Sequence, residues 1–132
     1  MKKKNYMIRL TRAEEQIMQV LWKLENAFVK DVISELPIPK PAYNTVSTII
    51  RILEKKGFVG YISHGKSHEY HAIVSKAEYR KSQFTGFVKN YFEDSYKSLA
   101  SFFTKEEKLS LTELEEIQKL IEIEIKKKKN SQ

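Results

Sequence analysis

The chain has 132 residues, 24 Lys and Arg against 17 Asp and Glu, a net charge of +7 and no cysteine. That length suits one compact domain or two small ones, and the missing cysteines exclude disulfides, thiolate metal sites and cysteine nucleophiles together. Residues 1–15 carry the charge of a signal peptide without its apolar core, and no run approaches the ~20 apolar residues of a membrane helix. The expectation is a soluble, cytoplasmic protein with no direct membrane insertion.

A basic balance makes an anionic partner the first hypothesis. Residues 1–75 hold 12 Lys/Arg and 7 Asp/Glu, net +5, whereas residues 76–132 hold 12 and 10, net +2. Lys2, Lys3 and Lys4 form one terminal cluster and Lys126 to Lys129 another. Such runs are ordinarily solvated, fraying ends, and charge alone does not identify a nucleic-acid binder.

Thr11-Arg12-Ala13-Glu14 has the form of a capping box. Ile17, Val20, Leu21 and Leu24 follow at helical spacing, so residues 11–24 are predicted to be an amphipathic helix. Val29, Val32, Ile33 and Leu36 repeat the spacing over a shorter helix, which Pro37-Ile38-Pro39-Lys40-Pro41 stops. A third helix spans Tyr43 to about Lys56. Turning ~100° per residue, Val46, Ile49, Ile50 and Leu53 share one arc. Asn44, Ser47, Thr48, Arg51 and Lys55 lie opposite in a stripe without an acid, and Gly57 is a natural C-cap. Two strand-like runs, 58–63 and 69–73, flank the turn-like His64-Gly65-Lys66-Ser67-His68, which reads as a β-hairpin with a basic tip. Three helices and a hairpin in this order spell a winged helix-turn-helix whose third helix is the reader.

Ser75-Lys76-Ala77-Glu78 is a second capping box, opening a helix with Phe84, Phe87, Val88, Tyr91 and Phe92. Glu93-Asp94-Ser95 breaks it, Leu99, Phe102 and Phe103 form an apolar patch, and Ser110-Leu111-Thr112-Glu113 is a third capping box. Leu114, Ile117, Leu120, Ile121 and Ile125 come after it. These apolar residues are too many for so short a segment to enclose, so pairing with a second copy under two-fold symmetry is expected.

The polar face of the third helix could simply meet water, as most do. Its residue types argue otherwise: Asn pairs with adenine, Arg with guanine, and Ser or Thr with bases or phosphates. The hairpin would bring Lys66, with His64 beside it, to a neighbouring phosphate or the minor groove. His64, His68 and His71 have a helical ligand spacing but sit on a hairpin, where residues 68 and 71 point to opposite faces. No metal site is therefore assigned, nor any cofactor. Carboxylates lie mostly among lysines on helices, and no Gly-rich phosphate loop occurs, so no catalytic residue is assigned. Trp22 reads as packing.

Leu10-Thr11-x-Ala13-Glu14, Val20-Leu21-Trp22, Asn44-Thr45-Val46-Ser47-Thr48, Lys55-Lys56-Gly57-Phe58 and Tyr70 together resemble the penicillinase-repressor family (BlaI/MecI/CopY type), over about Leu10 to Ile125. The resemblance implies a dimeric winged-helix repressor on an inverted-repeat operator. It also implies release through a membrane-anchored zinc metalloprotease sensor that triggers cleavage in the C-terminal region. The matching segment here is Leu99-Ala100-Ser101-Phe102-Phe103, with Ser101 where the family has Asn. The cysteine cluster of the copper-responsive branch is missing, which argues against copper sensing. A Trp-containing approach to the third helix is replaced by Pro39-Lys40-Pro41-Ala42-Tyr43, and the family's Arg aligns with Ile52 while the basic residue sits at Arg51. These departures imply a different operator sequence.

The expectation is thus a mainly α protein with a small β-hairpin wing: a winged-helix DNA-binding domain at 1–74 and a helical dimerisation region at 75–132. Asn44, Ser47, Thr48 and Arg51 are expected on base edges of double-stranded operator DNA, with Lys40, Thr45, Lys55 and Lys66 on phosphates. Phe84, Phe87, Val88, Tyr91, Leu99, Phe102, Leu114, Ile117 and Ile121 are expected at the homodimer contact, and Ser101 and Phe102 in the cleavage region. The alternative is a winged helix that presents the same face to an acidic protein partner.

Overall fold

A computed structural model describes residues 8–106 and 108–131; the Lys2–Lys4 cluster lies outside the described residues. The elements run α1 (Arg12–Leu24), β1 (Asn26–Ala27), α2 (Val29–Glu35), α3 (Tyr43–Lys55), β2 (Val59–His64), β3 (Ser67–Ala72), α4 (Lys76–Phe92), α5 (Tyr96–Glu106) and α6 (Leu111–Asn130). This is a mainly helical fold with a three-stranded antiparallel sheet in the order β1-β3-β2. Two compact units divide at Gly86/Phe87, within the range of α4.

In the first unit, α1 starts with the capping box: the Glu14 N–H donates to Thr11 Oγ1 at 3.2 Å and the Thr11 N–H to Glu14 Oε1 at 2.8 Å. Helix α3 ends in a Schellman motif. The Gly57 N–H donates to the Glu54 carbonyl (3.0 Å) and the Phe58 N–H to the Leu53 carbonyl (2.9 Å). The motif needs a left-handed residue, and Gly57 supplies it with φ +84°. Met18, Leu21, Val32, Val46, Ile50, Leu53, Phe58 and Val74 are buried together, with Ile49 and Trp22 packed at the margin. Burying each such large side chain is worth about 1.5–3 kcal/mol.

Two features of the hairpin differ from the sequence reading. His64 pairs with Ser67, so the connection is not five residues but two, Gly65-Lys66. Gly65 at φ +69° takes the first central position, where a tight hairpin turn requires a positive φ. The short strand β1 adds a third member, pairing Asn26 with His71 and Ala27 with Tyr70.

The first unit also extends past Ser75, because Tyr79 belongs to its core. The Tyr79 hydroxyl accepts from the Leu10 N–H at 3.0 Å, and its ring lies edge-on to Phe58 at 5.7 Å and near Trp22 at 5.9 Å. Trp22 in turn donates through Nε1 to the Val74 carbonyl at 2.9 Å.

In the second unit, positive φ at Glu93 and Asp94 separates α4 from α5, and the Asp94 N–H donates to the Val88 carbonyl at 3.1 Å. Phe92 packs edge-on against Phe102 at 5.5 Å. The Ser110–Glu113 capping box starts α6, with both bonds near 3.0 Å. Among the described residues of 87–131, Val88 alone is buried, and neither α5 nor α6 buries a residue.

Candidate nucleic-acid interface

The core fixes which side of α3 faces outward. With Val46, Ile50 and Leu53 buried, the exposed face carries Asn44, Thr45, Thr48, Arg51, Ile52 and Lys55, while Ser47 is half-buried at its edge. At ~100° per residue, Arg51, Asn44, Lys55 and Thr48 span an arc of about 60°. No carboxylate falls in it; Glu54 sits to the side, half-buried. The Thr48 hydroxyl donates to the Asn44 carbonyl at 2.8 Å, so its proton is used within the helix.

A groove of about 430 Å³ separates α3 from the hairpin. Tyr43, Ser47 and Arg51, spaced one helical turn apart, line one wall; Ser67, His68 and Tyr70 line the other. Lys30 of α2 and Lys66 of the turn add charge, and no acid lines the groove. The wing is braced by its aromatic residues. His68 stacks on Tyr61 at 4.0 Å with planes 7° apart, and His64 Nε2 lies 3.1 Å from Glu69 Oε1. Tyr70 is buried below, and that burial, with the nearby charge of Glu54, raises its hydroxyl above its ordinary pKa. Tyr70 therefore stays a neutral hydrogen-bonding group.

Seven of the eight residues expected on DNA lie on the α3 face or the wing tip: Asn44, Thr45, Ser47, Thr48, Arg51, Lys55 and Lys66. Lys40 is engaged elsewhere. Its ammonium donates to the carbonyls of Ser34 (2.8 Å) and Leu36 (2.6 Å), capping the end of α2. Lys30, Tyr43 and His68 escaped the sequence reading. Tyr43 was findable from its four-residue spacing to Ser47 and Arg51, whereas Lys30 joins the groove only through tertiary folding. Lys56, just past the end of α3, reaches Glu14 of α1, donating to both carboxylate oxygens at 2.9 and 2.8 Å. Burial alone would raise the Glu14 carboxyl, but the bond and charge of Lys56 and the Thr11 N–H hold it below the usual range.

A family model described as penicillinase repressor matches residues 10–123. The chain belongs to the penicillinase repressor family. It is 27% identical over 118 residues to the methicillin resistance regulatory protein MecI of Staphylococcus aureus (strain N315), covering 89% of this chain and 96% of that one. MecI of Mammaliicoccus sciuri is 26% identical over the same length. The penicillinase repressor of Bacillus licheniformis is 24% identical over 122 residues, 92% of this chain and 95% of its own. Members of this family are DNA-binding regulators, so this repressor is not an enzyme. No helix among its described residues is long and apolar enough to cross a membrane. Nor does any group of three or more His, Asp or Glu among them form a potential metal site.

The residues expected at a dimer contact divide by exposure. Phe84, Phe87, Tyr91, Phe102 and Ile121 are exposed, while Leu99, Leu114 and Ile117 are half-buried. Val88 is fully buried in the single chain and offers a partner no surface. Ser101 and Phe102 lie within α5, both exposed.

Proposed function

We propose that this repressor is a cytoplasmic homodimer that occludes a promoter by reading an inverted-repeat operator, one α3 per half-site. The acid-free face of Asn44, Thr48, Arg51 and Lys55 on a helix rigidly seated in the first core carries the proposal. Arg51 suits guanine and Asn44 adenine, while Thr45, Lys55 and Lys66 engage phosphates, with Ser47 at the groove edge. Lys40, committed to the end of α2, can offer a phosphate only its remaining N–H. Pairing of two chains is supported by the second unit. Leu111, Leu120, Ile121, Ile123 and Ile125 of α6 are all exposed, apolar side chains that a second copy of the chain could cover.

Release would follow cleavage near Ser101–Phe102 by a membrane-anchored zinc metalloprotease sensor. Because this bond lies inside α5, the helix must open locally before a protease can hold it extended. Selection of bound duplexes from a random-sequence library tests the reading. Enrichment of two inverted half-sites separated by a whole number of helical turns supports it; a single half-site, or no enrichment, counts against it.

A further inference from the structure

Ile52 is an aliphatic side chain on the exposed side of α3, about 40° beyond Thr48 at the edge of the stripe that the reading above gives to DNA. It is 41% exposed, whereas the other aliphatic residues of α3 are buried or packed against the core. Single exposed aliphatics elsewhere on a surface need no explanation. Here the neighbours give it one. Thr48 stands one turn before it, Lys55 nearly one turn after it, and Arg51 and Thr45 lie to either side. Thr48 has turned its hydroxyl proton back to the Asn44 carbonyl, leaving a methyl and acceptor lone pairs. The strip from Thr48 to Ile52 is therefore poor in donors, beside an Arg51–Lys55 strip that is rich in them.

The major groove of DNA is lined by hydrogen-bonding groups, with one prominent apolar group, the C5-methyl of thymine. Resting on the DNA-reading role of α3, we propose that Ile52 is a specificity-determining residue that selects a thymine by packing on its 5-methyl group. Arg51 and Lys55 hold the helix close enough, through charge complementarity with the duplex, for an aliphatic contact to form. A polar base edge placed against Ile52 would lose its water without gaining a partner, which disfavours the other bases.

The test uses the full chain and the duplex enriched from a random library. Each thymine of the enriched half-site is replaced in turn by uracil, which pairs identically but lacks the methyl. Affinities are measured for the wild type and for Ile52→Ala, with thermal melts to show that the exposed substitution leaves the fold intact. One uracil position is expected to weaken wild-type binding about fourfold per half-site, the worth of one buried methyl-sized group. The same replacement should leave Ile52→Ala unchanged, and at that position Ile52→Ala should lose its preference for thymine over cytosine. Loss of affinity on uracil replacement that is equal in both proteins would assign the methyl to another side chain and overturn the proposal. So would a wild type indifferent to every uracil. If no duplex is enriched at all, the DNA-reading role itself fails, and Ile52 falls with it.

Discussion

Replacing Lys56 with Met should destabilise the first unit by an amount that depends on pH. Glu14 is only 5% exposed. Its carboxylate accepts from Lys56 Nζ at 2.9 and 2.8 Å and from the Thr11 N–H at 2.8 Å. Methionine keeps most of the aliphatic stem and removes the charge, leaving the carboxylate one partner. Breaking a fully buried pair costs about 3–5 kcal/mol, and a hydrogen bond to a charged group contributes about 1.5–3 kcal/mol. The Lys56 side chain is 29% exposed, so water can reach the vacated oxygens and the cost falls to about 2 kcal/mol at pH 7. A carboxyl whose folded pKa lies below its ordinary 4.5 stabilises the fold above that value and ceases to as pH falls through the folded pKa. Without Lys56, burial dominates and this contribution shrinks. Urea unfolding followed at pH 7 and again near pH 3 should therefore show a gap of about 2 kcal/mol that closes in acid. A gap of equal size at both pH values, or none at neutral pH, would refute the reasoning.

Tyr79→Phe strands the buried Leu10 N–H, so urea melts should show a loss of about 1–3 kcal/mol, with no change in the DNA sequence preferred. Arg51→Ala should cost about 1–3 kcal/mol on the preferred duplex and relax selection at one base pair per half-site, read by competition among single-base variants. Ile121→Glu places a charge on the exposed face of α6, and sedimentation at micromolar protein should find monomers where the wild type is dimeric.

What the sequence could reveal was set by how local each signal is. The capping boxes at Thr11, Ser75 and Ser110 are four-residue patterns, and all three form the reciprocal bonds expected of them. Gly57 and the Glu93-Asp94 break were equally readable, because each reflects a backbone conformation that few residues tolerate. Strand β1 is two residues long and has no periodicity to detect. The hairpin tip was drawn too wide because His64 and Ser67, polar and exposed, look like loop residues although they pair. At the site, the α3 face followed from helical spacing alone. The bond from Lys56 to Glu14 spans 42 positions, and the seat of Lys40 on α2 depends on the path of a proline-rich connector. Neither leaves a trace in local pattern, and neither does the entry of Lys30 into the groove.

Recognition of duplex DNA by α3 is tested most directly by salt titration of binding to the enriched duplex and to a scrambled one. Each phosphate neutralised contributes about −0.9 to the slope of log affinity against log salt. With Lys55 and Lys66 each neutralising a phosphate from two protomers, a slope of about −3.6 or steeper is expected on the enriched duplex, the uncharged Thr45 adding nothing to it. That duplex should also be bound roughly a thousandfold more tightly than the scrambled one at physiological salt. Equal affinity for the two duplexes, or binding insensitive to salt, would contradict the account.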